Sequence, residues 1–154
     1  MNNFMKEDYV SSTNQAELYI TVGNNRHLAA MARNFEANFN IKTKEVPMLG
    51  RMIQGRKETG AEGKFKMKLY KCTPIFDDIC EKFKNTGVMT RFDIQVTNYD
   101  PTTKIGKDTK IYKNCLIDGD VLLNMFDDEG DFVEQEVSGY FSDYETVEKY
   151  KRPF

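Results

Sequence analysis

Two stretches of this chain alternate apolar and polar residues one by one, a period of two that suits a half-buried β-strand. In residues 34–42, Phe35, Ala37, Phe39 and Ile41 share one face, and Asn34, Glu36, Asn38, Asn40 and Lys42 share the other. In residues 64–71, Phe65, Met67 and Leu69 alternate with Lys64, Lys66 and Lys68. Residues 43–63, TKEVPMLGRMIQGRKETGAEG, lie between them. A hairpin turns in roughly two to five residues, so this connection is far longer than the turn requires. It carries Pro47, Gly50, Gly55, Gly60 and Gly63, the cations Arg51, Arg56 and Lys57, and the apolar Met48, Leu49, Met52 and Ile53. A lone loop cannot easily bury those four, and apolar anchors set among cations suit docking on a partner. Residues 43–63 read as a long assembly loop.

Charge is distributed as unevenly as hydrophobicity. Residues 42–71 hold nine basic and three acidic residues. Residues 118–148 hold eleven acids, among them Asp127, Asp128, Glu129 and Asp131, and no Lys or Arg. The formal net charge of −2 conceals this segregation. Two explanations stay open at this point. The regions face each other within one subunit, or opposite faces carry opposite signs and identical copies attract head to tail.

The 154 residues fit one domain with a real core, and no apolar run reaches the about eighteen residues of a membrane span. Residues 1–16 are polar and read as a flexible or partner-ordered arm without the apolar stretch of a signal peptide, with residues 17–154 as the single domain. Cys72, Cys80 and Cys115 are scattered, lack CxxC spacing and suit reduced thiols buried in a cytosolic protein. Strands are expected at 17–22, 28–42, 64–71, 90–97, 109–117, 121–126 and 132–142. Asp127–Asp131 forms the hairpin turn between the last two. One helix is expected from Pro74 to Asn85: Thr73 caps it, Asp77 and Asp78 suit its N-terminal end, and Gly87 offers a left-handed stop. Its stripe is Ile75, Phe76, Ile79, Cys80 and Phe83. The fold class is mainly β, mostly antiparallel, sandwich- or barrel-like, with one flanking α-helix.

The familiar chemistries do not fit. Gly50-x-x-x-x-Gly55 resembles the start of a phosphate-binding loop, but Arg56 stands where Lys is required, and a strand follows instead of a helix. His27, the one histidine, sits beside Arg26 in a turn and suits the surface. The cysteines lack zinc-finger spacing, and Asp127–Asp131 lacks the ligand ladder of a calcium loop. Lys64, Lys66 and Lys68 with Tyr70 could track a nucleic-acid backbone, but Phe65 and Tyr70 fall on opposite faces. A hydrolase would need two converging carboxylates. No enzyme, metal site or cofactor is expected.

Phe35-Glu36-Ala37-Asn38, Leu49-Gly50-Arg51, Gly55-Arg56-Lys57-Glu58-Thr59-Gly60, Gly63 and Tyr70-Lys71, taken in series, resemble the tail tube (tail core) proteins of contractile phage tails. The similarity is strongest to those of PBSX-like defective phages and R-type tail bacteriocins, and it runs from about Arg33 to Tyr144. The resemblance implies a structural, ring-forming subunit. Six copies would close into a ring whose inner strands join in one barrel, and rings would stack into a hollow tube inside a contractile sheath. Met48, Leu49, Gly50, Arg51, Met52, Ile53, Gly55, Arg56 and Lys57 would reach the next ring, with Asp127, Asp128, Glu129 and Asp131 as acidic partners. A barrel that wide has an aqueous lumen, lined by the polar face Glu36, Asn38, Asn40, Lys64, Lys66 and Lys68. Implied partners are further copies, the sheath, a tape-measure protein in the lumen, and baseplate and terminator proteins. DNA would pass only in a genome-delivering particle, and assembly would take place in the bacterial cytoplasm. The competing reading is a small non-enzymatic β-barrel that binds a ligand or nucleic acid.

Overall fold

A computed structural model describes Glu7 and residues 16–28 and 32–151. The expected N-terminal arm therefore lies outside the described residues, except for Glu7 and Ala16. Eight strands and one helix follow in order: β1 Ala16–Val22, β2 Asn25–Leu28, β3 Ala32–Val46, β4 Gly55–Tyr70, α1 Ile75–Thr86, β5 Phe92–Tyr99, β6 Lys107–Ile117, β7 Glu134–Phe141 and β8 Asp143–Glu148. They form one sheet in the order β2-β1-β5-β6-β7-β4-β3, with β8 also on β6. Every pairing is antiparallel.

The sheet turns a corner within β6. Residues 109–113 pair with β8, whereas Leu116 and Ile117 pair with β7. Between these stretches Asn114 adopts φ 57, a left-handed conformation that Asn tolerates better than most residues. The Asp93 carboxylate accepts its N–H at 3.0 Å. Opposite it, Ser142 separates β7 from β8 and donates its N–H to the Lys113 carbonyl at 3.1 Å. Bending at one strand position folds the sheet onto itself without breaking the ladder.

The core fills the space this fold encloses. Leu18 and Ile20 of β1, Phe65, Met67 and Leu69 of β4, Phe92, Ile94 and Val96 of β5, and Val137 and Phe141 of β7 all point inward at strand period. Phe76 and Ile79 of α1 close the layer, with Phe76 edge-on to Phe92 at 6.1 Å. Pro74 stands at the helix N-cap position instead of inside it, and the Thr73 hydroxyl accepts the Ile75 N–H at 3.4 Å. Gly87 ends the helix in the left-handed region at φ 74. Phe83, expected in the apolar stripe, remains half exposed.

Several expectations need correction. Residues 43–63 are not one long loop: β3 and β4 stay paired from Ala32↔Leu69 to Val46↔Gly55, so the connection is only residues 47–54. The outer ribbon is exposed on both faces, so no alternating burial marks it in the sequence. Residues 121–126 form no strand; Val121-Leu122-Leu123 is an unbroken apolar run, with no polar face to set against a core. Asp127–Asp131 accordingly lies within the long connection from β6 to β7 and is not a tight hairpin turn. His27 belongs to β2, not to a turn, and β8 continues the chain past the expected end of the last strand.

Candidate functional site: a projecting hairpin and the charged faces around it

β4 pairs with β7 only from Gly63 to Tyr70, while its pairing with β3 continues to Gly55. The β3–β4 ribbon therefore extends past the body of the sheet. Gln54 shapes its tip: its Oε1 accepts the Met48 N–H, and its Nε2 donates to the Arg51 carbonyl at 2.8 Å. Gly50 turns the chain at φ 78. This framework leaves Leu49 and Met52 essentially fully exposed (105% and 99%), with Ile53 at 78%. Arg51 donates to the Met48 sulfur at 3.1 Å, and Arg56 donates to the Thr43 hydroxyl at 3.0 Å. Neither arginine has a carboxylate partner among the described residues. Gly55 and Lys57 begin β4, so the strand expected after the phosphate-loop-like spacing is present.

The ribbon base separates two faces. On the polar face Glu36 stands opposite Lys66 and Asn38 opposite Lys64, while Asn40 faces Glu62. All six candidate residues, Glu36, Asn38, Asn40, Lys64, Lys66 and Lys68, are exposed there together. Glu62 bridges Lys64 at 3.0 Å and Lys42 at 3.1 Å, and Lys66 reaches Glu136 of β7 at 3.3 Å. Hydrogen bonds from Lys64 and then Lys42 hold the Glu62 carboxyl below the usual range, and Glu62 in turn pushes Lys64 up. A shallow depression of about 350 Å³ opens on this face between Glu36, Lys64, Lys66, Asp118 and Tyr140.

The opposite face is less buried than expected. Phe65, Met67 and Leu69 are enclosed, but Phe35 is half-buried, and Phe39 and Ile41 are 52% and 61% exposed. Phe39 lies beyond the main core and leans on Tyr144 at 5.7 Å. An aromatic row continues through Tyr112, which meets Phe35 at 5.6 Å and Phe141 at 5.0 Å. Burial pushes the Tyr112 phenol up to about 12 and the Cys115 thiol likewise up to about 12. Cys115 is buried as expected, but Cys72 is exposed.

The acidic candidates Asp127, Asp128, Glu129 and Asp131 are all exposed and pair with no described cation. Asp127 organises their turn, its carboxylate accepting the Glu129 N–H at 3.0 Å. Sequence reasoning missed their neighbours: Leu123, Met125, Phe126 and Phe132 are exposed hydrophobics on the same segment. The expected strand would have buried half of them. The missing signal was the lack of alternation over residues 121–126. Among the described residues no group of three His, Cys, Asp or Glu could hold a metal ion, and no helix is long and apolar enough to cross a membrane.

An antiparallel β domain that extends an uncovered apolar hairpin beside a charged polar face has the features of a structural subunit that docks on a protein partner. The chain belongs to the phage tail tube protein family, whose model matches residues 3–148. It is 27% identical over 125 residues to the phage-like element PBSX protein XkdM of Bacillus subtilis (strain 168), covering 81% of this chain and 84% of that protein. It is 28% identical, with the same coverage, to the uncharacterized protein YqbM of that organism. Its fold matches a chain in the sheath–tube complex of an extracellular contractile injection system, PVC, in the extended state, with a TM-score of 0.63. That match has 13% identity and covers 92% of this chain and 95% of the other.

Proposed function

We propose that this tail tube subunit has no enzymatic activity and works by assembly alone. Copies close into six-membered rings, and the rings stack into a hollow tube that a contractile sheath surrounds and drives outward. The observation that carries this reading is the ribbon, whose tip presents Met48, Leu49, Met52 and Ile53 to solvent on a hydrogen-bonded frame. A single copy leaves that surface uncovered; a neighbouring ring would cover it. Ring closure also occupies the sheet ends that β2 and β3 leave open among the described residues. In the tube, Met48 to Ile53 with Gly55, Arg56 and Lys57 contact the next ring, and the cations meet the acidic group Asp127, Asp128, Glu129 and Asp131. The face of Glu36, Asn38, Asn40, Lys64, Lys66 and Lys68 lines an aqueous lumen that holds a tape-measure protein. Baseplate and terminator proteins cap the ends, assembly takes place in the bacterial cytoplasm, and DNA passes only in a genome-delivering particle.

Negative-stain imaging of the purified full chain at high concentration tests this reading. Six-fold rings or hollow tubes are expected. A monodisperse small particle at every concentration would overturn it.

A further inference from the structure

We propose that residues 118–133 form the seat for the hairpin tip of a second copy of this chain, an inference that rests on the tube reading. The seat is larger than its carboxylates: Leu123, Met125, Phe126 and Phe132 are exposed at 59%, 57%, 95% and 77%. Around them stand six acids, with no Lys or Arg between Asp118 and Val133. The tip is its chemical complement, with four exposed apolar side chains beside Arg51 and Arg56, which find no carboxylate in their own chain among the described residues. Apolar residues at the centre with opposite charges at the rim are the usual composition of a specific protein interface.

Placement explains why the two halves do not meet within one chain. The tip adjoins Gly55, the first residue of β4. The segment of the seat starts beside the middle of that strand, where the Asp118 N–H donates to the carbonyl of Ser138, the partner of Lys66, and its Phe132–Val133 end reaches the other end of β4. Tyr70 pairs with Glu134, its ring meets Phe132 at 6.2 Å, and the Lys71 N–H donates to the Val133 carbonyl. The 16 residues of β4 separate the tip from that end of the seat by about 50 Å at the usual rise per strand residue. Complementary patches at opposite ends of one strand make a head-to-tail contact, and where the rotation between copies does not close on itself such contacts repeat indefinitely. The product is an open-ended stack.

The test places a photoreactive benzophenone side chain at Leu49 in the full-length chain and irradiates assemblies mixed from isotopically light and heavy copies. The expected product joins the tip peptide of one copy to a peptide from residues 118–133 of another. In parallel, the double variant Met125→Ser, Phe126→Ser, altered only at exposed positions, should still form rings but lose pelletable tubes by at least about tenfold. Tubes cross-linked from Leu49 to another part of the neighbouring copy would overturn the seat and leave the tube reading standing. Cross-links confined to a single chain, or undiminished tubes from the double variant, would also overturn the seat. If the unaltered chain forms neither rings nor tubes, the tube reading fails and the seat fails with it.

Discussion

Gly63 and Gly139 mark the closest approaches in the sheet. A Cβ on Gly63 would lie 2.2 Å from the Phe141 ring, and one on Gly139 would lie 1.9 Å from the Leu116 carbonyl oxygen. A ring can shift by changing rotamer, whereas the backbone of a paired strand cannot. Gly139→Ala should therefore be the more damaging change, at the upper end of the ~1–3 kcal/mol typical of overpacking, and Gly63→Ala milder. Urea unfolding midpoints read the difference; equal midpoints for both variants would contradict the assigned close approach. Cys115 and Tyr112 set a second residue-scale expectation. Burial raises the thiol from 9.0 and the phenol from 10.0, each to about 12. Above those ordinary values the unfolded chain releases protons that the folded chain retains, so alkali favours unfolding. Their contribution to stability is intact at neutral pH and declines as the pH rises from 9.0 toward about 12. Tyr112→Phe should lose less stability than the unaltered chain between about pH 10 and about pH 12, measured as the shift in urea midpoint. Equal slopes would mean that Tyr112 does not titrate abnormally.

At the scale of elements, the readable parts were those that one core patterns. Residues 64–69 alternated in the sequence and alternate in burial, and α1 ended at Gly87 as its cap signals required. The outer ribbon was hidden because Thr43–Val46 and Gly55–Ala61 are held by backbone hydrogen bonds and leave no face to a core. Phe39 misled in the opposite direction: it kept the strand's period but lies beyond the region where the core can cover it. The tip residues were legible as uncovered apolar groups, but their distance from the body was not. Separate tests address the tip and the base of the ribbon. Replacing residues 47–54 with a short Gly-Ser turn should leave a folded β domain with a nearly unchanged unfolding midpoint but abolish tube growth; tubes of normal length would remove the tip from assembly. Lys66→Cys with the native cysteines replaced should react slowly with a bulky maleimide in end-capped tubes and rapidly in free subunits. Equal rapid labelling in both would move the polar face out of the lumen.

Across the whole molecule, segregated charge becomes a matter of geometry. The sequence left open whether the basic and acidic regions neutralise each other within a subunit, and they do so only in part. Lys66–Glu136 is such a pair, whereas Arg51, Arg56 and the Asp127–Asp131 group have no ionic partner among the described residues. Arg51→Glu or Arg56→Glu should therefore weaken assembly by on the order of a few kcal/mol at a desolvated contact, with part of the loss recovered by reversing Asp127, Asp128, Glu129 or Asp131. Sedimentation across a protein concentration series measures both effects, and failure of every reversal to rescue would separate the two surfaces. The span of β4 has a further consequence. A push entering at the hairpin tip travels to the far end of the subunit along one covalent backbone. Beside it, the ladders to β3 and β7 are loaded in shear, with many hydrogen bonds sharing the strain at once instead of peeling one by one. Stiffness along that strand is therefore carried by the chain itself, and any give is concentrated in the eight residues of the tip.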